Sequence, residues 1–221
     1  MTAGSVDDRP DVRDMLVVHD AFRREYGMLP RLVRGVAPHD AARAEVLAAH
    51  YALLARFLHL HHHSEDLVLY PVLAQRVPDH PALVDRMEGE HRELSERLDA
   101  ATRAVPRWAA DPDPVATESL ARLLSDVDAA VEGHLAHEER EVLPLCAERL
   151  SREEWDAVGA HSRSELRQED AFTVLGMLLE DAAPQVGAGM LAAMPAQVSS
   201  MYAEHGAPAY AAYTATVRRT A

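Results

Sequence analysis

The sequence predicts an all-α fold, an up-down-up-down four-helix bundle with additional C-terminal helices. Three observations predict it. Apolar residues recur at alternating spacings of three and four along four long stretches, which is the period of one helix face. Ala, Leu, Arg and Glu dominate the 221 residues, and all suit helices. Prolines and short polar segments separate the stretches, and short connections make successive helices antiparallel neighbours.

The first helix is predicted from about Asp11 to Arg34. Val12, Met15, His19, Phe22, Tyr26, Leu29 and Val33 form its stripe. Pro38 and His39-Asp40 break it. The second helix is predicted from about Asp40 to Val77, with Leu47, Tyr51, Leu54, Leu58, His61, Glu65, Val68 and Val72 in line. Pro78 and Pro81 bracket the next turn. The third is predicted from about Pro81 to Val105, with Val84, Met87, His91, Leu94, Leu98 and Ala101 on one face. "DPDP", Asp111 to Pro114, reads as a loop and helix start. The fourth is predicted to run to about Leu150, with Leu120, Leu124, Val127, Val131, His134, Glu138, Glu141 and Leu145 in stripe. Pro71 and Pro144 fall late in helices two and four, where each is predicted to kink the helix or end its regular part.

Charge and composition narrow the function classes. The formal charge of −14 argues against a nucleic-acid or anionic-membrane partner. The single cysteine, Cys146, excludes an internal disulfide and suits a reducing cytoplasm. The acidic start has no apolar run of the signal-peptide kind, and no stretch is long enough to span a bilayer. Lys, Asn and Ile are absent, which fits the codon bias of a GC-rich genome. Residues 1–150 are expected to form the bundle, and residues 151–221 a helical extension packed on it.

The segment "HLHHHSEDLVLYP", His59 to Pro71, raises the question of chemistry. Adjacent helix residues lie about 100° apart, so the three neighbouring histidines cannot all share one stripe. The stripe selects His61, and Glu65 one turn later on the same face. His59, His62 and His63 are expected in solvent, and His50 near the stripe. Helix four carries "HLAHEEREVLP", His134 to Pro144, which repeats the His-x-x-x-Glu spacing 73 residues on. His19 and His91 each stand alone in an apolar stripe, 72 residues apart. The chain thus reads as two similar helix hairpins. Each brings a lone histidine and a His-x-x-x-Glu pair to its inner face.

Any one of these residues alone reads as a solvated or hydrogen-bonded histidine. Six of them, placed symmetrically, read better as a metal site, because unpaired carboxylates and imidazoles are costly inside a bundle. Four imidazoles and two carboxylates suit two ions, each with two histidines and bridged by both glutamates. Imidazole and carboxylate ligands suit iron, manganese or zinc.

The pattern H…HxxxE…H…HxxxE, with the segments Glu65 to Pro71 and Glu138 to Pro144, resembles the hemerythrin-like proteins of the HHE cation-binding type over about Asp11 to Leu150. The resemblance implies a four-helix bundle with two non-heme iron ions, oxo- or hydroxo- and carboxylate-bridged. It implies as ligands His19, His61, Glu65, His91, His134 and Glu138. Ferritin-like di-iron bundles place the acid before the histidine, and here the histidine comes first. Oxygen-carrying hemerythrins have a fifth histidine four residues before the lone one on helix three, where this chain has Met87. Carriers split their imidazoles three to two, with one open position. A two-to-two split would leave a position on each iron and argue for redox turnover.

The expected function is therefore an oxidoreductase that reacts with O2 or H2O2, catalase-like or oxidising a small metabolite. The alternative is an O2- or iron-binding or sensing protein without turnover, or a metal-binding module of a structural kind. Glu141 is the candidate catalytic group, a proton relay or extra ligand one turn past Glu138, with a charge at the bundle end as its plainer reading. Tyr26 and Tyr70 are candidates for the site's surroundings or plain core. A small-molecule substrate and a monomer or homodimer are expected, with no nucleic acid and no membrane. Ser151 and Glu154 form a capping box that opens a further helix. The extension is read as a cap or dimer contact, or else as a lid over the site. His161 and His205 are expected at the surface.

Overall fold

The computed structural model describes residues 9–219, so residues 1–8 of the acidic start lie outside it. Among the described residues the chain is helical and contains no strand. Four long helices carry the core: α1 (Arg13–Arg34), α2 (Ala41–Ser64), α4 (Pro81–Ala110) and α5 (Pro114–His137). Between and after them come α3 (Tyr70–Arg76) and α6 (Leu143–Arg149). α1 packs on α2 and α5, and α4 packs on the same two helices, which closes a ring of four.

Local chemistry sets most boundaries. The Asp40 carboxylate accepts from the Arg43 N–H and caps α2. Asp113 accepts from the Val115 and Ala116 N–H groups, and Pro114 opens α5 where no N–H is needed. His39, with φ 64°, makes the turn before α2, and its N–H donates to the Pro112 carbonyl of the other connection at that end. α4 runs past its expected end at Val105, through Pro106, to Ala110. Packing outweighs the proline there: Trp108 is buried and its Nε1–H donates to the Thr117 hydroxyl at 2.9 Å.

Helices two and four do not simply kink at Pro71 and Pro144. Each passes through a π-helical turn that begins at a glutamate, Glu65–Leu69 and Glu138–Val142. A π-turn adds one residue to the helix circuit, so every later side chain shifts by one position on the face. Leu69, Leu73, Val142 and Cys146 are therefore buried, whereas Val68, Val72, Glu141 and Leu145 of the predicted stripe are only half-buried. Both prolines sit at the start of the α-helix that resumes, where a missing N–H costs least.

The core divides into two apolar clusters. One includes Phe22, Leu58, Leu94, Val131 and Leu135. The other includes Met15, Leu69, Leu73, Met87, Val142 and Cys146. On each long helix the histidine or His–Glu pair lies between a residue of the first cluster and one of the second. The polar groups thus form a layer with apolar packing on both sides.

Ser151 and Glu154 form both bonds of the expected capping box and open α7 (Arg152–Glu165), which packs on α2 and on the Glu65 π-turn. α8 (Ala171–Glu180) packs on α1. After α9 (Pro184–Ala192) and α10 (Ala196–Met201), the chain returns through α11 (Ala207–Val217) against α8 and α2. Polar ties fasten this region to the bundle. His50 is buried and its Nδ1 meets the Tyr213 hydroxyl at 2.7 Å, while Arg218 reaches Glu25 at 2.9 Å. Among the described residues, no helix is long and apolar enough to cross a membrane.

Candidate metal centre

The structure brings together all six histidine and glutamate residues expected as ligands, and adds a seventh. His19, His61, Glu65 and Glu138 form one group whose ligand atoms lie within 4.8 Å of one another, and His62, Glu65, His91 and His134 form a second. Glu65 belongs to both. Its Oε1 lies 3.2 Å from His61 Nε2 and its Oε2 3.5 Å from His91 Nε2, so one carboxylate spans the two groups. Glu138 Oε2 lies 3.3 Å from His19 Nε2 and 3.9 Å from His134 Nε2.

His62 corrects the expectation that it is solvated. It is 6% exposed, its Nε2 is buried without a partner, and its ring stacks on His91 with centroids 4.1 Å apart. The reason is the width of the inner face. α2 sits between α1 and α4, so its buried surface is broader than one stripe and accepts two consecutive residues. His61 turns toward His19 of α1, with ring centroids 5.5 Å apart, and His62 turns toward α4. The sequence held a usable signal. The 73-residue repeat maps His62 onto Leu135, an apolar residue that is buried. The expected two-to-two split of four imidazoles becomes three to two, and the fifth imidazole comes from α2. Met87 is fully buried in the apolar cluster and is packing. His59 and His63 are exposed, as expected.

Glu141 is not brought to the centre. The π-turn that begins at Glu138 rotates it off the inner face and puts Val142 there instead. Its side chain is 34% exposed and pairs with Arg86 and Arg140. These arginines hold its carboxyl below the usual range. Of the two tyrosines, Tyr70 is nearer the ligands as the structure places them. Its ring lies 5.5 Å from that of His91, and its hydroxyl is buried without a partner.

The charges and protons of the layer suit it to cations. His19, His91 and His134 each give Nδ1 to a carboxylate: Glu139 at 2.8 Å, Asp66 at 2.7 Å and Glu90 at 3.1 Å. Such a partner fixes the proton on Nδ1 and leaves a lone pair on Nε2 facing inward. His91 and His134 then point two Nε2 lone pairs at each other across 3.1 Å. The Nε2 atoms of His19, His61 and His62 and all four oxygens of Glu65 and Glu138 are buried without a hydrogen-bond partner. One unpaired buried acceptor costs about 1–3 kcal/mol, and this layer holds many. Burial, and then the Glu138 charge, push the Glu65 carboxyl up. Burial also pushes Glu138 up, but the neighbouring imidazoles, His19 first and then His61 and His134, outweigh it and leave the carboxyl low. Burial drives His61 and His62 strongly toward the neutral form, which is the ligating form. Lone pairs converging on two points in a dry layer suit bound cations, and imidazole with carboxylate suits iron, manganese or zinc.

No curated protein and no solved structure matches the chain. The family model described as the hemerythrin HHE cation binding domain matches residues 11–146. That span holds every ligand of both groups, and its first and last residues flank the four long helices. The chain belongs to the hemerythrin HHE cation-binding family.

Proposed function

We propose that the centre holds two iron ions in an up-down-up-down bundle, and that its reactant is dioxygen or hydrogen peroxide. His19 and His61 would hold one ion and His62, His91 and His134 the other, with Glu65 and Glu138 bridging. The observation that carries this reading is the three-to-two division of imidazoles around the shared Glu65. Two iron ions there would supply the electrons for reaction with oxygen. The chain's own residues do the rest. Glu139, Asp66 and Glu90 orient three imidazoles and keep their protons on Nδ1. The apolar clusters on either side exclude water. With five imidazoles divided three to two, the site favours reversible binding of dioxygen, or sensing of it, over turnover.

Oxidoreductase turnover, catalase-like or on a small metabolite, is the second reading. Tyr70 favours it, since its unpartnered hydroxyl is a transferable proton in an otherwise apolar wall. The test is to reduce the iron-loaded protein without oxygen, admit oxygen, and then remove it. Visible absorption that appears and reverses supports binding. Irreversible change with peroxide consumed faster than by free iron supports turnover, and Tyr70→Phe should then slow it.

A further inference from the structure

The two glutamates of the layer stand in equivalent places, one π-turn each, but their preceding residues are anchored differently. Glu138 follows His137, whose Nδ1 meets Glu90 Oε1 at 2.8 Å, and the other oxygen of Glu90 holds His134. That anchor comes from α4, inside the family match. Glu65 follows Ser64, the 73-residue counterpart of His137. Ser64 is 1% exposed, and its hydroxyl is saturated. It donates to the Leu60 carbonyl at 2.8 Å and accepts from the Ser162 hydroxyl at 2.8 Å. Its donor hydrogen is thereby used, so His161 Nδ1, at 3.0 Å, must donate. His161 and Ser162 both belong to α7, beyond residue 146, where the family match ends.

We propose that His161 and Ser162 are positioning residues of the metal centre: they hold the Ser64 hydroxyl and, through it, the turn that carries Glu65. Resting on the two-metal reading above, this makes α7 part of the site's scaffold. A serine bonded back to the carbonyl four residues earlier tends to bend a helix, and this one stands where the π-turn begins. Without α7, the Ser64 hydroxyl keeps one local bond and loses both tertiary ones. Glu65 serves both ligand groups, so its looseness would weaken both ions together. His161, expected as a plain surface residue, is half-buried, and its ring lies 5.8 Å from that of His63.

The test uses the full chain loaded with iron. Iron release to a strong chelator is followed for the wild type, His161→Ala, His161→Asn and Ser64→Ala, alongside the melting temperature of each metal-free protein. Outer partners of metal ligands typically contribute about 10–100-fold to metal affinity. His161→Ala and Ser64→Ala are expected to release both ions roughly 10-fold faster. His161→Asn, which places an amide N–H where Nδ1–H stood, is expected to restore slow release. The metal-free Ala and Asn variants should melt together, which separates positioning from bulk stability. If His161→Ala fails to fold, the Ser64→Ala and Asn variants decide. Release at the wild-type rate in Ser64→Ala, or equally fast release in His161→Asn and His161→Ala, overturns the proposal. A wild type that retains fewer than two ions instead overturns the two-metal reading on which it rests.

Discussion

His62 stacks on His91 with ring centroids 4.1 Å apart and planes 17° from parallel, and it stands edge-on to His134 at 5.0 Å. These three imidazoles come from α2, from its neighbour α4, and from α5 across the bundle. His62→Ala should therefore lower iron content and alter the visible spectrum, as His61→Ala should from the other side. His63→Ala, at an exposed position, should do neither. Equal iron and equal spectra in the His62 variant and the wild type would remove the fifth imidazole from the site.

Met87 occupies the place where an oxygen carrier has its extra histidine, yet it lies at 0% exposure among apolar side chains. Met87→His should not gain iron. It should lose stability, by about 1–3 kcal/mol, because an imidazole there has no partner to replace its water. Chemical denaturation with and without iron measures both effects. A variant that binds iron more tightly and denatures later would show that the wall can yield to a sixth imidazole.

Much of this centre was legible in the sequence, and the reasons for the rest are physical. His19, His61, His91 and His134 sit where apolar stripes demand inward residues, so a period of 3.6 finds them. Asp40, Asp113 and Ser151 announce their helices by capping chemistry that depends on neighbours alone. His62 escaped because a stripe assigns one residue per turn, whereas a helix wedged between two others buries a wider face. The stripe misplaces Glu141 because a regular helical period runs through Glu138 without the extra residue of the π-turn. Pro144, six residues past that glutamate, marked an irregularity but not its kind. The role of Ser64 depends on α7, almost a hundred residues away, and no local pattern carries such a contact.

Acid should weaken the ties that hold the C-terminal helices. Arg218 above all holds the Glu180 carboxyl down to about 2, against partial burial, with the Tyr210 hydroxyl donating as well. The ordinary value for this group is 4.5. Because the folded value is lower, the tie contributes fully above the ordinary value and is lost as pH falls toward the folded one. After discounting for its exposure, its contribution is about 1 kcal/mol. Glu180→Gln should therefore destabilise the protein near neutral pH, and the gap from the wild type should close as pH falls through that range. A gap independent of pH would assign the effect of the variant to packing.

The most direct measurement is the number of metal ions per folded chain. Protein produced with ample iron, freed of loosely held metal and analysed for all transition metals, should carry two iron ions per chain. His61→Ala and His134→Ala should each fall below that. One ion per chain, or zinc alone despite ample iron, would contradict the account of two ligand groups joined through Glu65.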